Sequence, residues 1–552
     1  MMEKYFQQPS VMSTQEHFSR VPKAEIQRST FDRSSAYKTT FNAGNCIPIY
    51  CDEVVPGDTF HMDSTFFARL ATPLKPVMDN AHLDVHYFFV PSRLVWEHWA
   101  NFMGERKTPA DDPKNYTIPK ANWNPAAALS HVGGGDAFAI GDYLGLPKSN
   151  VNENFLITAL PLRAFALIWD EWYRDENLQN PHDLGDGDAN TTALSYNSFV
   201  SQFPRGKRKD YFTSALPWPQ KGDPVSIPIG GQIPVVTTTS DVLSGGQQAI
   251  RFNKIDGADP GGNYNIGVGS DGRAGRIAAA GGAPTDYFYP SNLVANLSAA
   301  SAVTINALRT AIQLQVMLER DARGGTRYIE MIWEHFGVVN PDFRLQRPEF
   351  IGSGSGLINV NPIAATFTST GNAPQGNLAA TATGVVRASF DYSATEHGYI
   401  IGVISARTDL TYQRGLERMW TRSVREEFYF PALAHLGEQA ILNKEIFLAS
   451  SVAGTNDLAF GYQERFAEYR YKPSRVTGLF SSEESASLDV WHWSQDFANL
   501  PALNADFIRE NPPIARTIAV QTEPHFLLDS WFGLKSDRPM PVYSVPGLNS
   551  GL

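Results

Sequence analysis

The densest chemistry in this sequence is cationic. Arg205, Lys207, Arg208 and Lys209 crowd into the stretch FVSQFPRGKRKDYFTSALPWPQK, and Tyr211, Phe212 and Trp218 follow closely. Cations meet phosphates and exposed rings stack on bases, so the pattern suits single-stranded nucleic acid. It also suits a basic loop packed against acidic neighbours of another subunit. Other candidate patterns fail on spacing. His82 and His86 are four apart, ligand spacing on a helix, but their surroundings read as strand. Asp183, Asp186 and Asp188 resemble a calcium loop with the wrong spacing and no closing glutamate, so they read as a solvated turn. GSGSG at 352–356 reads as a glycine-rich loop that lacks a phosphate-binding lysine. No GxSxG, HExxH or distinctively spaced carboxylate pair occurs, so no catalytic centre, cofactor site or metal site is expected.

These residues must be positioned by strands, and the clearest lie between Val54 and Val90. Phe60, Met62, Ser64 and Phe66 alternate with His61, Asp63, Thr65 and Phe67. Leu83, Val85, Tyr87 and Phe89 alternate with Asp84, His86, Phe88 and Val90. A period of two rich in aromatic and β-branched residues predicts strands with one face in a core. Phe67, Phe88 and Val90 are apolar on the second face, which predicts that this face is covered too.

Helical spacing appears in RLVWEHWANFMG after Ser92, with His98 read as a packed histidine. It appears again from Pro161, where Leu162, Phe165, Ala166, Trp169, Trp172 and Tyr173 share a face. INALRTAIQLQVMLERDARGG and TRYIEMIWEHFG read as two further helices. Val385–Tyr392, Tyr399–Arg407, Phe466–Tyr471 and Leu488–Trp493 read as strands. The domain reading is a polar N-terminal arm (1–45), a first sandwich part with helical insertions (46–221), an inserted surface segment (222–297) and a second sandwich part (298–552). The insertion holds 14 glycines in 76 positions, against 44 in 552 overall, and reads as short strands and turns. The tail from Glu523 shows little regular period, which predicts that Phe526, Trp531 and Phe532 drape over a neighbouring subunit.

Composition limits the partners. The chain has 552 residues, 42% of them hydrophobic and 19% charged, and a net charge of −11. The overall field therefore repels nucleic acid, and any contact needs a local patch or a basic partner. Cys46 and Cys51 would point to opposite faces of one strand, which reads as two free thiols in a reducing cytoplasm. No secretory leader or membrane-length apolar run is present, so synthesis in the cytoplasm without membrane insertion is expected.

Long stretches carry a family resemblance. They are FNAGNCIPIYCDEVVPGDTF, DSTFFARLATPLKPVMDNAHLDVHYFFVPSRLVW, PRGKRKDYFTSALPWPQKG, ERFAEYRYKPSRVTGLF and EPHFLLDSWFGLKSDRPMPVYSVPGL. Together they resemble the major capsid proteins of the Microviridae, small single-stranded DNA phages, in the gokushovirus branch. The resemblance spans nearly the whole chain except about 222–300. It implies an eight-stranded antiparallel jelly-roll β-sandwich with long loop insertions containing helices. It also implies a T=1 icosahedral shell built through pentamers around a circular single-stranded DNA genome, with no enzyme activity. The implied partners are a small basic DNA-binding capsid protein, an internal scaffolding protein, a minor pilot protein and a host receptor. The long insertion is implied to project at threefold axes for host attachment. The rival reading is a β-sandwich carbohydrate-binding protein or carbohydrate-active enzyme.

Overall fold

A computed structural model of the chain describes residues 26–106, 108–110, 112–129, 138–182, 184–223, 225, 346–366, 375–448 and 454–543. It also describes helices at 305–323 and 328–336 and short strands between 235 and 295. Most of the expected arm (1–25) and the extreme C-terminus lie outside the described residues.

Nine strands form one antiparallel sheet: β1 (Ser29–Asp32), β2 (Ser35–Phe41), β3 (Ile47–Val54), β4 (Thr59–Leu70), β5 (Ala81–Pro91), β6 (Glu349–Ala364), β7 (Leu378–Ser393), β8 (Gly398–Thr408) and β9 (Phe526–Arg538). Their order is β1-β9-β4-β7-β6-β5-β8-β3, with β2 also paired to β9. Without the short β1, this is β2-β9-β4-β7 joined to β6-β5-β8-β3, the jelly-roll order. The sheet curls until the halves face each other: Tyr50 meets Phe532 at 5.1 Å between ring centroids, and Tyr87 meets Phe390 at 4.8 Å. The expected alternation holds. Phe60, Met62, Ser64, Phe66, Leu83, Val85, Tyr87 and Phe89 are all buried. The polar Ser64 is satisfied there, donating to the Ala388 carbonyl and accepting from the Tyr87 hydroxyl.

GSGSG is not a loop but the middle of β6. Gly352, Gly354 and Gly356 pair with Tyr87, Val85 and Leu83, so they point between the two halves. A Cβ on Gly354 would lie 2.2 Å from the Arg387 carbonyl oxygen, so absence of a side chain lets β6 cross β7 at close range.

Several other expectations are corrected. The tail is not irregular: β9 runs between β2 and β4, placing Phe526 and Phe532 in the core. The end of the arm folds as β1 and β2 on β9, with Arg33 paired to Asp52 at 2.6 Å. The helix after Ser92 breaks into Ser92–Val95 and Trp99–Phe102, because buried Trp96 turns extended and donates its indole N–H to Asp188. Residues 466–471 hold a 3-10 turn, since Phe466 sits at φ 62°, where a strand cannot run. Asp489–Trp491 is likewise a 3-10 turn, with the Ser487 hydroxyl accepting from the Asp489 N–H at its start.

Helix α1 (Leu160–Trp172) lies over β5 and β8, and the sequence stripe explains why. Leu162, Phe165, Ala166 and Trp169 are buried, and Trp172 and Tyr173 reach Phe88 at 5.5 and 6.1 Å. A second apolar cluster, including Tyr211, Phe212, Tyr412, Ile446, Phe460 and Phe507, is built from the loops after α1 and after β8. Residues Gln220–Gly325 form a separate compact unit. It contains a four-stranded and a two-stranded antiparallel sheet and helix α2 (Ile305–Arg323), so it extends past the expected boundary at 297. Helix α3 (Tyr328–Phe336) belongs to the larger unit.

Candidate nucleic-acid interface and subunit contacts

The basic stretch is locked between two backbone segments. On one side Cys46 N–H donates to the Phe203 carbonyl and Arg205 N–H to that of Gly44. On the other side Lys207 N–H donates to Ile508 and Glu510 N–H to Arg205. Side-chain directions follow from that alternation. Arg205 stacks 4.8 Å from the Tyr173 ring centre. Lys207 is 7% exposed, donates to Gln495 Oε1 at 2.8 Å and lies 4.4 Å from the Phe507 ring centre. Burial lowers its pKa to about 8 against the opposing pull of Glu510 and Asp210. Burial pushes the Glu510 carboxyl up, opposed by the Thr408 N–H and by Lys207.

Of the other cations, Arg205 and Arg208 are half-buried and Lys209 is exposed, with Arg208 paired to Asp409 at 3.3 Å and Lys209 to Asp175 at 2.5 Å. Tyr211 and Phe212 are buried in the second cluster, and Trp218 is half-buried. The expected nucleic-acid cluster is thus engaged within the subunit, and Lys207 has no path to a phosphate.

The expected subunit contacts divide the same way. Phe526 and Phe532 are 0% and 2% exposed, which leaves them no surface for a neighbour, while Trp531 is 53% exposed on the opposite face of β9. The signal was in the sequence: Phe526, Leu528, Ser530, Phe532 and Leu534 alternate with Leu527, Asp529, Trp531 and Gly533.

His82 contacts Asp409 at 3.2 Å, and His86 Nδ1 meets the Tyr173 hydroxyl at 2.7 Å. Asp188 binds Trp96 and His98, and Asp183 lies outside the described residues. Among the described residues no group of His, Cys, Asp and Glu could hold a metal ion. Both cysteines are free, and burial pushes each thiol up to about 12. A cleft of about 370 Å³ near Tyr211 has its charges matched: Arg418 with Glu445 at 3.1 Å, Arg422 with Glu468 at 3.0 Å, and Lys472 with Glu417 at 2.9 Å. Among the described residues, no helix is long and apolar enough to cross a membrane.

Residues 19–548 match the family described as "Capsid protein (F protein)". The chain is 42% identical to the capsid protein VP1 of Chlamydia phage 1, across 98% of both chains. It is 42% identical to that of Bdellovibrio phage phiMH2K, across 96% of this chain and 97% of the relative. It is 35% identical to that of Spiroplasma virus 4, again across 96% and 97%.

Proposed function

The chain belongs to the capsid protein (F protein) family, and from that premise we propose that its copies close into a T=1 icosahedral shell around a circular single-stranded DNA genome. It is a structural protein of the virion and not an enzyme. One observation carries the reading that a particular surface is covered on assembly. Between Met419 and Leu436, in turns outside the sheet, Met419, Trp420, Val424, Phe428, Tyr429 and Leu436 are 45–67% exposed. So many large apolar side chains in one short stretch mark a surface that another protein covers, and in a shell the neighbour is a second copy.

Electron microscopy and sedimentation of the overexpressed protein test this. Closed shells are expected, and the double variant Trp420→Ala, Phe428→Ala should leave subunits that melt normally but stay unassembled. Shells from the variant would move the contact elsewhere.

Assembly in the host cytoplasm would draw on a scaffolding protein and a minor pilot protein. The charge of −11 supports a small basic partner that neutralises the packaged DNA. We further propose that the insertion is a threefold protrusion that reads the host receptor. Its support is that Gln220–Gly325 is a compact unit with its own sheets, which a jelly roll can carry without rearranging. Replacing 222–323 with a Gly/Ser linker should leave shells and abolish adsorption to the host.

A further inference from the structure

The open face of the β2-β9-β4-β7 half carries its aromatics and its cations together. Strand register fixes the neighbours, because directly paired residues share a face. Trp531 pairs with Thr65, which pairs with Arg387. One pleat along, Asp529 pairs with Phe67, which pairs with Val385. In the next row Leu527 pairs with Arg69. Phe67 is 40% exposed, Trp531 53%, and Leu527 and Val385 about half. Arg69 and Arg387 make no ion pair or side-chain hydrogen bond among the described residues. Lys38 reaches Asp529 at 3.3 Å, with both side chains largely in solvent. This part of the face therefore sets three cations against one carboxylate. A shallow depression of about 430 Å³ lies over it, lined by Lys38, Thr40, Phe67, Arg69, Leu527 and Asp529.

The other end of the same face has the opposite sign. His61 contacts Asp391 and Asp537, Asp63 is exposed beside them, and Lys535 is the lysine among them. A polyanion is thus directed to the Phe67–Trp531 end.

We propose that this face is a stacking site for single-stranded DNA, with bases on Trp531 and Phe67 and phosphates on Arg69 and Arg387. The proposal rests on the reading of the chain as a shell around single-stranded DNA, and it puts the contact on a different face from the 205–209 cluster. Three features favour this occupant. The rings are exposed and flank unpaired guanidinium groups. The threonine hydroxyls of Thr40 and Thr65 lie among them as donors. The depression, at about 430 Å³, falls in the range of small-ligand sites. Flat duplex DNA would keep its bases from the rings, so single strands are preferred.

The test uses full-length unassembled protein and a labelled oligothymidylate, followed by fluorescence polarisation at several salt concentrations. Trp531→Ala should weaken binding about 5- to 100-fold, and Trp531→Phe should recover most of that loss. Arg69→Gln with Arg387→Gln should reduce the steepness of log affinity against log salt by about 1.4. A duplex of the same length should compete poorly. Because these side chains are exposed, thermal melts of the variants should match the parent. Unchanged oligonucleotide affinity in Trp531→Ala, or unchanged salt dependence in the arginine double variant, overturns the proposal. If Trp531→Ala instead stops shell assembly with affinity unchanged, the face is a contact between copies and the proposal fails. Electron microscopy separates the two levels: shells without oligonucleotide binding remove the site but keep the capsid. Absent shells with the expected affinity changes do the reverse.

Discussion

The two halves of the curled sheet share one core but treat their outer faces in opposite ways. Over β5 and β8, α1 and the 203–209 segment cover Phe88, His86 and Asp84, and Phe88 is 2% exposed. Charges under that cover are paired: Asp84 accepts from Ser355 at 2.6 Å and from Arg407 at 2.5 Å. Burial raises the Asp84 pKa, but those partners outweigh it and hold the carboxyl below its ordinary value. Over β4 and β9 no helix or loop among the described residues is layered. There Phe67, a strand residue of the same type as Phe88, stands half in solvent beside an unpaired Arg69. Residue type alone does not distinguish the faces; what is stacked on them does.

The largest effect tests whether the halves are one folded unit. Gly354→Ala places a Cβ 2.2 Å from the Arg387 carbonyl and 2.8 Å from the Ala388 Cβ, in a crossing bounded by backbone. A loss of about 3 kcal/mol or more is expected, a large share of what a typical domain has to lose. Soluble yield and a thermal melt report it. Ser353→Ala, one residue away on the outer side, should stay within about 0.5 kcal/mol. Equal tolerance of both would mean the halves are not held at this crossing.

Phe88→Ala opens a cavity beneath α1 and should cost about 3–5 kcal/mol in denaturant unfolding. Phe67→Ala removes a half-exposed ring and should cost less than about 1 kcal/mol. Similar losses would show that the second face is covered after all.

The covered face carries a pH dependence of its own. Burial, helped by Arg205, lowers the pKa of His86 to about 4 from 6.5. The unfolded chain therefore binds the proton first as pH falls. The stability contributed by neutral His86 is complete above 6.5 and is lost between 6.5 and 4, at most about 3 kcal/mol. His86→Asn, which keeps an acceptor toward the Tyr173 hydroxyl, should flatten the slope of unfolding free energy against pH across that window. An unchanged slope would assign the acid sensitivity to other groups.

Much of the sandwich was legible because alternation is local. Phe60 to Phe66 and Leu83 to Phe89 revealed their inner faces with no knowledge of partners, and α1 was marked by its apolar stripe and Pro161. The misread parts depend on distant residues. GSGSG resembles a loop until β7 is known to cross it, since only then does a missing side chain become a packing requirement. The end of the arm and the tail are strands only because they pair with one another, Phe41 with Phe526, across nearly the full chain length. The basic cluster was legible as charge but not as location. Nothing within 205–209 announces that Gln495, Phe507 and Glu510 will enclose Lys207. Phe67 failed in the opposite direction, since an apolar residue on a second face predicts cover only when some element is available to supply it.

The smallest effect falls on the cations that the sequence made most conspicuous. Arg208→Ala and Lys209→Ala each remove an exposed ion pair, with Asp409 and Asp175, and each should cost less than about 1 kcal/mol. Together they should also leave the salt dependence of oligothymidylate binding unchanged. Both positive charges already face a carboxylate, so a phosphate would have to displace that partner and leave it beside the strand. Arg69 and Arg387 face no such competitor. Parallel titrations of the two double variants, one on each side of the sheet, therefore compare cations of equal charge in opposite settings. A flattening by about 1.4 in the Arg208, Lys209 pair, with none in the Arg69, Arg387 pair, would place the nucleic acid on the covered side. The bare face would then be left to a neighbouring subunit.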